Sequence, residues 1–285
     1  MRDTREEKMD KIVKLGSSTV HHGKFNDRVY LMSMADEDAE NITEMLGQLC
    51  DDNDYSKIVA KVPSRYTALF IQEGYEKEAS LPLGDNGGYV FMSKFVDPER
   101  RTRTGELDEM NIIETAKQKV PDVPLAASLP AGYHWSELTK EDAAEAAEVY
   151  SKVFESYPFP INTAEYILET MEDHVRYFGV WGGGGIAALS SAEMDKKNKT
   201  VEMTDFATLP DFRGAGLALF LLDRMEEKMV ESGYGQMFTI ARSKSPGMNI
   251  TFAKKGYSYG GTLVNNTNIS GGLESMNIWY KNAGE

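Results

Sequence analysis

The most constraining stretch of this chain is Phe206-Ala-Thr-Leu-Pro-Asp-Phe-Arg-Gly-Ala-Gly-Leu-Ala-Leu219. Alternation over residues 200–209 predicts a strand. Beyond the turn, Leu217, Leu221, Met225 and Met229 fall on one stripe with Gly233 just past them, which predicts a long amphipathic helix over 217–232. Between the two, Gly214, Gly216 and Ala218 carry almost no side chain. A strand that turns through small residues into a helix belongs to α/β architecture, and the bare N–H groups of the first helical turn form a cradle for phosphate. The dinucleotide fingerprint fails because Leu219 holds its third glycine position, and the P-loop lysine is missing. A plain glycine turn remains the alternative.

The second half continues in the same style. Strands are predicted over 133–138, 175–181, 186–194 and 236–242, with helices over 140–154 and 163–173. A short helix ending at Gly256 and two final strands complete it. Thr139, with Asp142 three residues on, starts the first helix, and residues 182–185 form a hairpin turn. An antiparallel start followed by strands flanked by helices predicts an α/β fold with a mixed sheet. Pro121, Pro124 and Pro130 punctuate residues 120–131 and divide the chain into an N-terminal α/β domain, 1–125, and a second domain, 131–282. In the first domain, 36–49 reads as a helix with Asp36, Glu37, Asp38 and Glu40 in its first turn. Residues 106–120 read as another, with Leu107, Met110, Ile113 and Ala116 on its apolar face.

The halves also echo each other. A strand at 58–62, Phe70-Ile-Gln-Glu-Gly-Tyr75 and a strand at 88–94 match 238–242, Phe252-Ala-Lys-Lys-Gly-Tyr257 and 275–281. Duplication and two coincidental glycine helix caps both account for the match.

Charge bounds what the chain can bind. With 31 Lys and Arg against 45 Asp and Glu, the formal charge is −14. It is spread evenly, with 17 basic and 24 acidic residues up to position 125 and 14 and 21 beyond it. Nucleic-acid backbones are bound by Lys and Arg displacing counterions, so nucleic acid is excluded and cationic small molecules are favoured. The lone Cys50 gives no disulfide framework and reads as a partly buried apolar residue in a reducing compartment. The first ten residues precede no apolar run, and no stretch nears the roughly 18 apolar residues of a membrane span. A cytoplasmic protein with no membrane partner is expected, and a homodimer is compatible with it. His21 and His22 read as a solvated turn, and the four scattered His give no metal set.

Arg213-x-x-Gly216-x-Ala218, preceded by Phe206-x-Thr208-x-Pro210, resembles the acetyl-CoA signature of the GNAT N-acetyltransferases, with the elements from Tyr133 to Lys281 in that family's order. The resemblance implies a GNAT acyltransferase fold for the second domain. The first would then be a degenerate GNAT-like copy without a coenzyme motif. Acetyl-CoA is implied as co-substrate, and no metal. Phe206 and Thr208 would hold the pantetheine arm and Arg213, Gly214, Gly216 and Ala218 the pyrophosphate. Asn249 lies near the family's upstream asparagine, whose own position is Ser245. Within the family, Asn26-Asp-Arg-Val-Tyr-Leu31, Ile240-Ala-Arg-Ser243, Asn265-Asn-Thr-Asn-Ile269 and Ser275-Met-Asn-Ile-Trp-Tyr280 are similar to the β-lysine N-acetyltransferases. Those enzymes carry an N-terminal domain of this size and make the osmolyte Nε-acetyl-β-lysine. Another small amine or polyamine as substrate, or a non-catalytic acyl-CoA-binding module, are the rival readings; a pyridine-nucleotide oxidoreductase is a distant third.

The chemistry sets its own demand. A primary amine with a pKa of about 10.4 is protonated at neutral pH and attacks a thioester only after losing a proton. A carboxylate, or a water it holds, must therefore stand near the thioester. Glu202 matches the position of the base in lysine-acetylating family members. Strand alternation puts Glu202, Thr204 and Phe206 on one face and Asp205, the reserve candidate, on the other. Phe252 stands where many members carry a tyrosine acid. Tyr257 and Tyr259 are the nearest hydroxyls in sequence, and a thiol with a pKa of about 8.5 also leaves unaided. Arg242 can take a substrate carboxylate bidentately, although a surface role fits it equally. Tyr157 and Phe159, in a Tyr-Pro-Phe-Pro loop, either wall the substrate or pack the loop.

Overall fold

The computed structural model describes residues 9–83, 87–122 and 127–283. The N-terminal half contributes β1 (Lys11–Leu15), β2 (Ser18–Gly23), β3 (Arg28–Ser33), α1 (Ile42–Asp51), β4 (Lys57–Pro63), α2 (Thr67–Gln72), β5 (Glu76–Leu81), β6 (Tyr89–Phe95) and α3 (Glu106–Lys117). The C-terminal half contributes β7 (His134–Glu137), α4 (Ala143–Val153), α5 (Ala164–Asp173), β8 (Val175–Gly182), β9 (Gly185–Asp195) and β10 (Thr200–Thr208). It continues with α6 (Leu217–Glu231), β11 (Gln236–Arg242), α7 (Pro246–Lys254), β12 (Ser258–Ile269) and β13 (Gly272–Asn282). Among the described residues the thirteen strands form one sheet, ordered β1-β2-β3-β4-β6-β5-β12-β13-β11-β10-β9-β8-β7.

One topology is used twice. In the first half β3 and β4 run parallel around α1, β4 pairs antiparallel with β6, and β6 with β5. In the second, β10 and β11 run parallel around α6, β11 pairs antiparallel with β13, and β13 with β12. The sequence echo is a structural equivalence. Tyr75 and Tyr257 each donate a backbone N–H to the carbonyl of the Phe five residues back, at 3.0 and 3.1 Å. The paired rings cross edge-on at 5.1 and 5.0 Å.

The halves join edge to edge where Gly261 pairs with Ala79. A Cβ on Gly260 would lie 2.4 Å from the Ser80 carbonyl oxygen, and one on Gly261 2.3 Å from that of Glu78. Glycine lets the two edges close. Polar ties reinforce the seam: buried Lys57 donates to Glu78 at 2.8 Å and to the Val264 carbonyl at 2.7 Å, and the Val264 N–H donates to Glu78 at 2.7 Å.

Several local expectations need correction. Residues 36–49 are not one helix: Asp36–Asp38 is a separate 3-10 turn, and α1 begins at Ile42. Asp38 instead accepts the Ser17 and Ser18 N–H groups at 2.9 and 2.7 Å, so local side-chain bonding displaces the helix there. The first turn of α1 carries Glu44 as its acidic residue. On α3, Ile113 and Ala116 are buried, but Leu107 and Met110 are 77% and 51% exposed. His21 and His22 are buried in β2, with His22 Nδ1 3.1 Å from the Tyr55 hydroxyl, and Cys50 is fully buried. The expected boundary at 125, with Pro124, lies outside the described residues. Thr139 and Asp142 do form a capping box, and the strand predicted at 236–242 has those bounds. Among the described residues, no helix is long and apolar enough to cross a membrane.

Candidate active site

Everything at the site turns on β10. It pairs with β11 only over Thr200–Glu202 and then leaves it. On its other edge the register with β9 slips between Thr204 and Ala207, and Asp205 sits at φ 54°. A bulge bends a strand and re-aims its side chains. The two strands therefore open into a wedge, and the backbone of β10 beyond Glu202 presents amide groups unpaired with β11. The bulge also breaks strict alternation: Glu202, Thr204 and Asp205 all line the same cavity, which corrects the expectation that Asp205 faces away.

Two cavities meet here. One, of about 700 Å³, lies between the halves and is walled by Arg28, Tyr30 and Lys61 of the first half and by Tyr166, Glu193 and Glu202 of the second. The other, of about 650 Å³, fills the wedge, and Phe206, Thr208, Arg213, Gly214, Gly216 and Ala218 all line it. Tyr157, Thr204, Asp205, Ile240, Ile269 and Met276 line both.

The second cavity suits a long phosphorylated thioester. Gly214 and Gly216 stand at φ 84° and 75°, a conformation that L side chains rarely adopt, and a Cβ on either would meet nothing within 4 Å. Backbone conformation, not crowding, calls for glycine. The 15-residue helix α6 follows with no acidic residue in its first turn, so its N-terminal dipole is uncompensated. Arg213 is exposed at the rim, its Nε 3.3 Å from the Thr208 carbonyl.

In the first cavity the electrostatics favour proton exchange. Glu202 is half-buried and stands directly across from Glu193 on β9. Burial and the Glu193 charge push its pKa up to about 8, against the pull of Lys61. Asp205 accepts hydroxyls from Ser191, at 2.5 Å, and from Tyr157, yet burial still raises its pKa. Burial and the Asp205 charge hold the Tyr157 phenol neutral, well above its ordinary range. Phe159 packs on the His21 ring at 4.7 Å and lines the same cavity. Burial drops the His21 pKa to about 3, leaving a neutral ring.

Three sequence candidates do not reach the chemistry. Tyr257 is buried in the core, its hydroxyl 3.7 Å from the Met237 sulfur, and it lines neither cavity. Asn249 is saturated: it donates to the Arg242 and Ser245 carbonyls and accepts from Asn277 and Trp279 at 2.9 Å. Arg242 lines the coenzyme-sized cavity, but its fork is engaged bidentately by Glu274 at 2.9 and 2.8 Å. Sequence reasoning missed Arg28, Tyr30, Lys61 and Glu193. The similarity of residues 26–31 to one acetyltransferase group covered the first two but carried no role, and no spacing rule links the others to β10.

Residues 144–254 match the acetyltransferase (GNAT) family. The chain is 40% identical over 274 residues, 96% of its length and 99% of the relative's, to a beta-lysine N(6)-acetyltransferase of Methanococcus maripaludis. It is 43% identical over 153 residues to a beta-lysine N(6)-acetyltransferase of Methanosarcina mazei, covering 54% of this chain and 56% of the relative. Among solved structures, the ribosomal-protein-S18-alanine N-acetyltransferase of Escherichia coli superposes with a TM-score of 0.47 at 15% identity, over 54% of this chain and 96% of that one.

Proposed function

The chain belongs to the GNAT family of acetyltransferases and is an N-acetyltransferase, and from that premise we propose that it moves the acetyl group of acetyl-CoA onto the terminal amine of β-lysine. The observation that carries this reading is the path of β10. Thr200 and Glu202 line the cavity between the halves, Thr204 and Asp205 line both, and Phe206 and Thr208 line the wedge. One strand thus leads from an amine site to a coenzyme site. The substrate's identity rests on the named relatives, which the chain matches almost end to end in one case.

In this reading the pantetheine arm runs along the unpaired edge of β10 at Phe206 and Thr208, and the pyrophosphate meets Arg213, Gly214, Gly216 and Ala218. Tyr157 and Phe159 wall the amine. Glu202, directly or through a water, takes the ammonium proton. The freed nitrogen attacks the thioester carbonyl carbon, the C–N bond forms, and the tetrahedral intermediate collapses with loss of the C–S bond. Coenzyme A leaves as its thiolate, and the surplus proton on the new amide nitrogen passes through solvent to it; a thiol pKa of about 8.5 makes that departure tolerable without an acid. Asp205, held by Tyr157 and Ser191, acts as a positioning residue at the junction. The evenly acidic chain fits a salt-loaded cytoplasm in which the product serves as a compatible solute.

Coenzyme-A thiol release across β-lysine, lysine and polyamines tests the proposal. We expect kcat/KM for β-lysine to exceed that for each of the others by about tenfold or more. Preference for a polyamine would replace the substrate, and no release with any amine would leave an acyl-CoA-binding module.

A further inference from the structure

We propose that Arg28, from the N-terminal half, binds the carboxylate of the substrate at the far end of the amine cavity. The inference rests on the acetyl-transfer reading above and adds the residue that would select an amino acid over a polyamine.

Arg28 lies on β3 with 3% of its surface exposed, yet lines the cavity. Its Nη1 donates to the Asn266 carbonyl at 2.5 Å and to the Thr267 hydroxyl at 3.1 Å, both uncharged, and its buried Nε has no partner among the described residues. The neighbouring cations are matched: Lys57 pairs with Glu78 and Arg100 with Asp27. Among the described residues Arg28 has no such carboxylate. The Asp10 carboxylate, which acts on it electrostatically, is engaged by the loop at Phe25 and Asn26, at 2.9 and 2.7 Å. A buried guanidinium without a counter-ion is costly, and such a cation is retained where an anion arrives to complete it. Burial lowers its pKa only to about 10, so the charge persists at neutral pH.

The arrangement also has a direction. Arg28 and Tyr30 share a face of β3, the guanidinium 5.2 Å from the Tyr30 ring centre. Tyr30 in turn feels the charges of Glu202 and Glu193. Arg28 thus neighbours Tyr30, and Tyr30 neighbours Glu202 and Glu193, with the Lys61 charge acting on Glu202. That order complements a zwitterion with a carboxylate at one end and an ammonium at the other. A polyamine would instead set a second ammonium against Arg28.

The experiment compares β-lysine with its carboxamide, using thiol release by the full chain. The wild-type enzyme should prefer the acid by about 10²-fold in kcat/KM. Arg28→Met should raise KM for β-lysine by a similar factor, leave KM for acetyl-CoA unchanged and bring the acid-to-amide ratio towards one. Arg28→Lys should restore part of the preference. Equal kcat/KM for acid and amide in the wild-type enzyme would overturn the assignment without recourse to any variant, as would an unchanged ratio in a folded Arg28→Met protein. If both are acetylated equally, the acetyl-transfer reading still stands; if neither is, that reading falls and takes this one with it.

Discussion

At Glu202 a carboxylate sits half-buried opposite Glu193, and its pKa of about 8 lies well above the ordinary 4.5. The folded protein therefore holds this proton more tightly than the unfolded chain does. Its stabilising contribution is complete below the usual carboxylate range and is lost as pH rises through about 8. Glu202→Gln should then be less alkali-labile than wild type, read as a higher Tm at pH values above that range. The same variant should lower kcat by about 10²-fold at neutral pH, with partial recovery at high pH as free amine accumulates. An unchanged pH–rate profile would move the role to Asp205 or to solvent. Tyr257→Phe should keep kcat within about twofold and cost about 1 kcal/mol of stability in denaturant unfolding, since its hydroxyl meets the Met237 sulfur and the Glu226 carboxylate away from both cavities. The residues around the glycine turn were legible in sequence because their neighbours are adjacent in the chain. Tyr257, Asn249 and Arg242 were not: the partners that occupy Asn249 and Arg242, namely Asn277, Trp279 and Glu274, stand about 30 residues away.

Elements were read better than their irregularities. The strand predicted over 200–209 is β10 to within one residue, but periodicity cannot reveal a register slip, because a bulge depends on the partner strand. The slip at Thr204–Ala207 opens the wedge and turns Asp205 towards the junction. At 36–49 the acidic cluster looked like a helix start, whereas Asp38 is recruited by Ser17 and Ser18 on a distant hairpin. The glycine turn itself behaves as a local element, and its tolerance is predictable. Gly216→Ala forces an L residue to φ 75° and should cost about 1–2 kcal/mol. If the turn holds the pyrophosphate, KM for acetyl-CoA should rise with KM for the amine unchanged; equal increases in both would place the effect on folding alone.

Across the whole molecule, two copies of one strand order share a single sheet, and residues of both line the cavity between them. The echo of Phe70–Tyr75 in Phe252–Tyr257 was visible in sequence; the seam was not, since it depends on Gly260, Gly261 and Glu78 meeting across nearly two hundred residues. Glu78→Ala should leave Lys57 buried without its counter-ion and lower stability by about 3 kcal/mol in denaturant unfolding. A loss below about 1 kcal/mol would show that the seam holds through its backbone pairing alone. We propose a division of labour between the halves: the C-terminal half holds the coenzyme, and the N-terminal half closes the amine site without binding coenzyme of its own. Calorimetric titration of the intact chain with acetyl-CoA tests this most directly. One site per chain, lost in Ala218→Trp, is the result predicted; two sites per chain, or binding undiminished by that substitution, would contradict it.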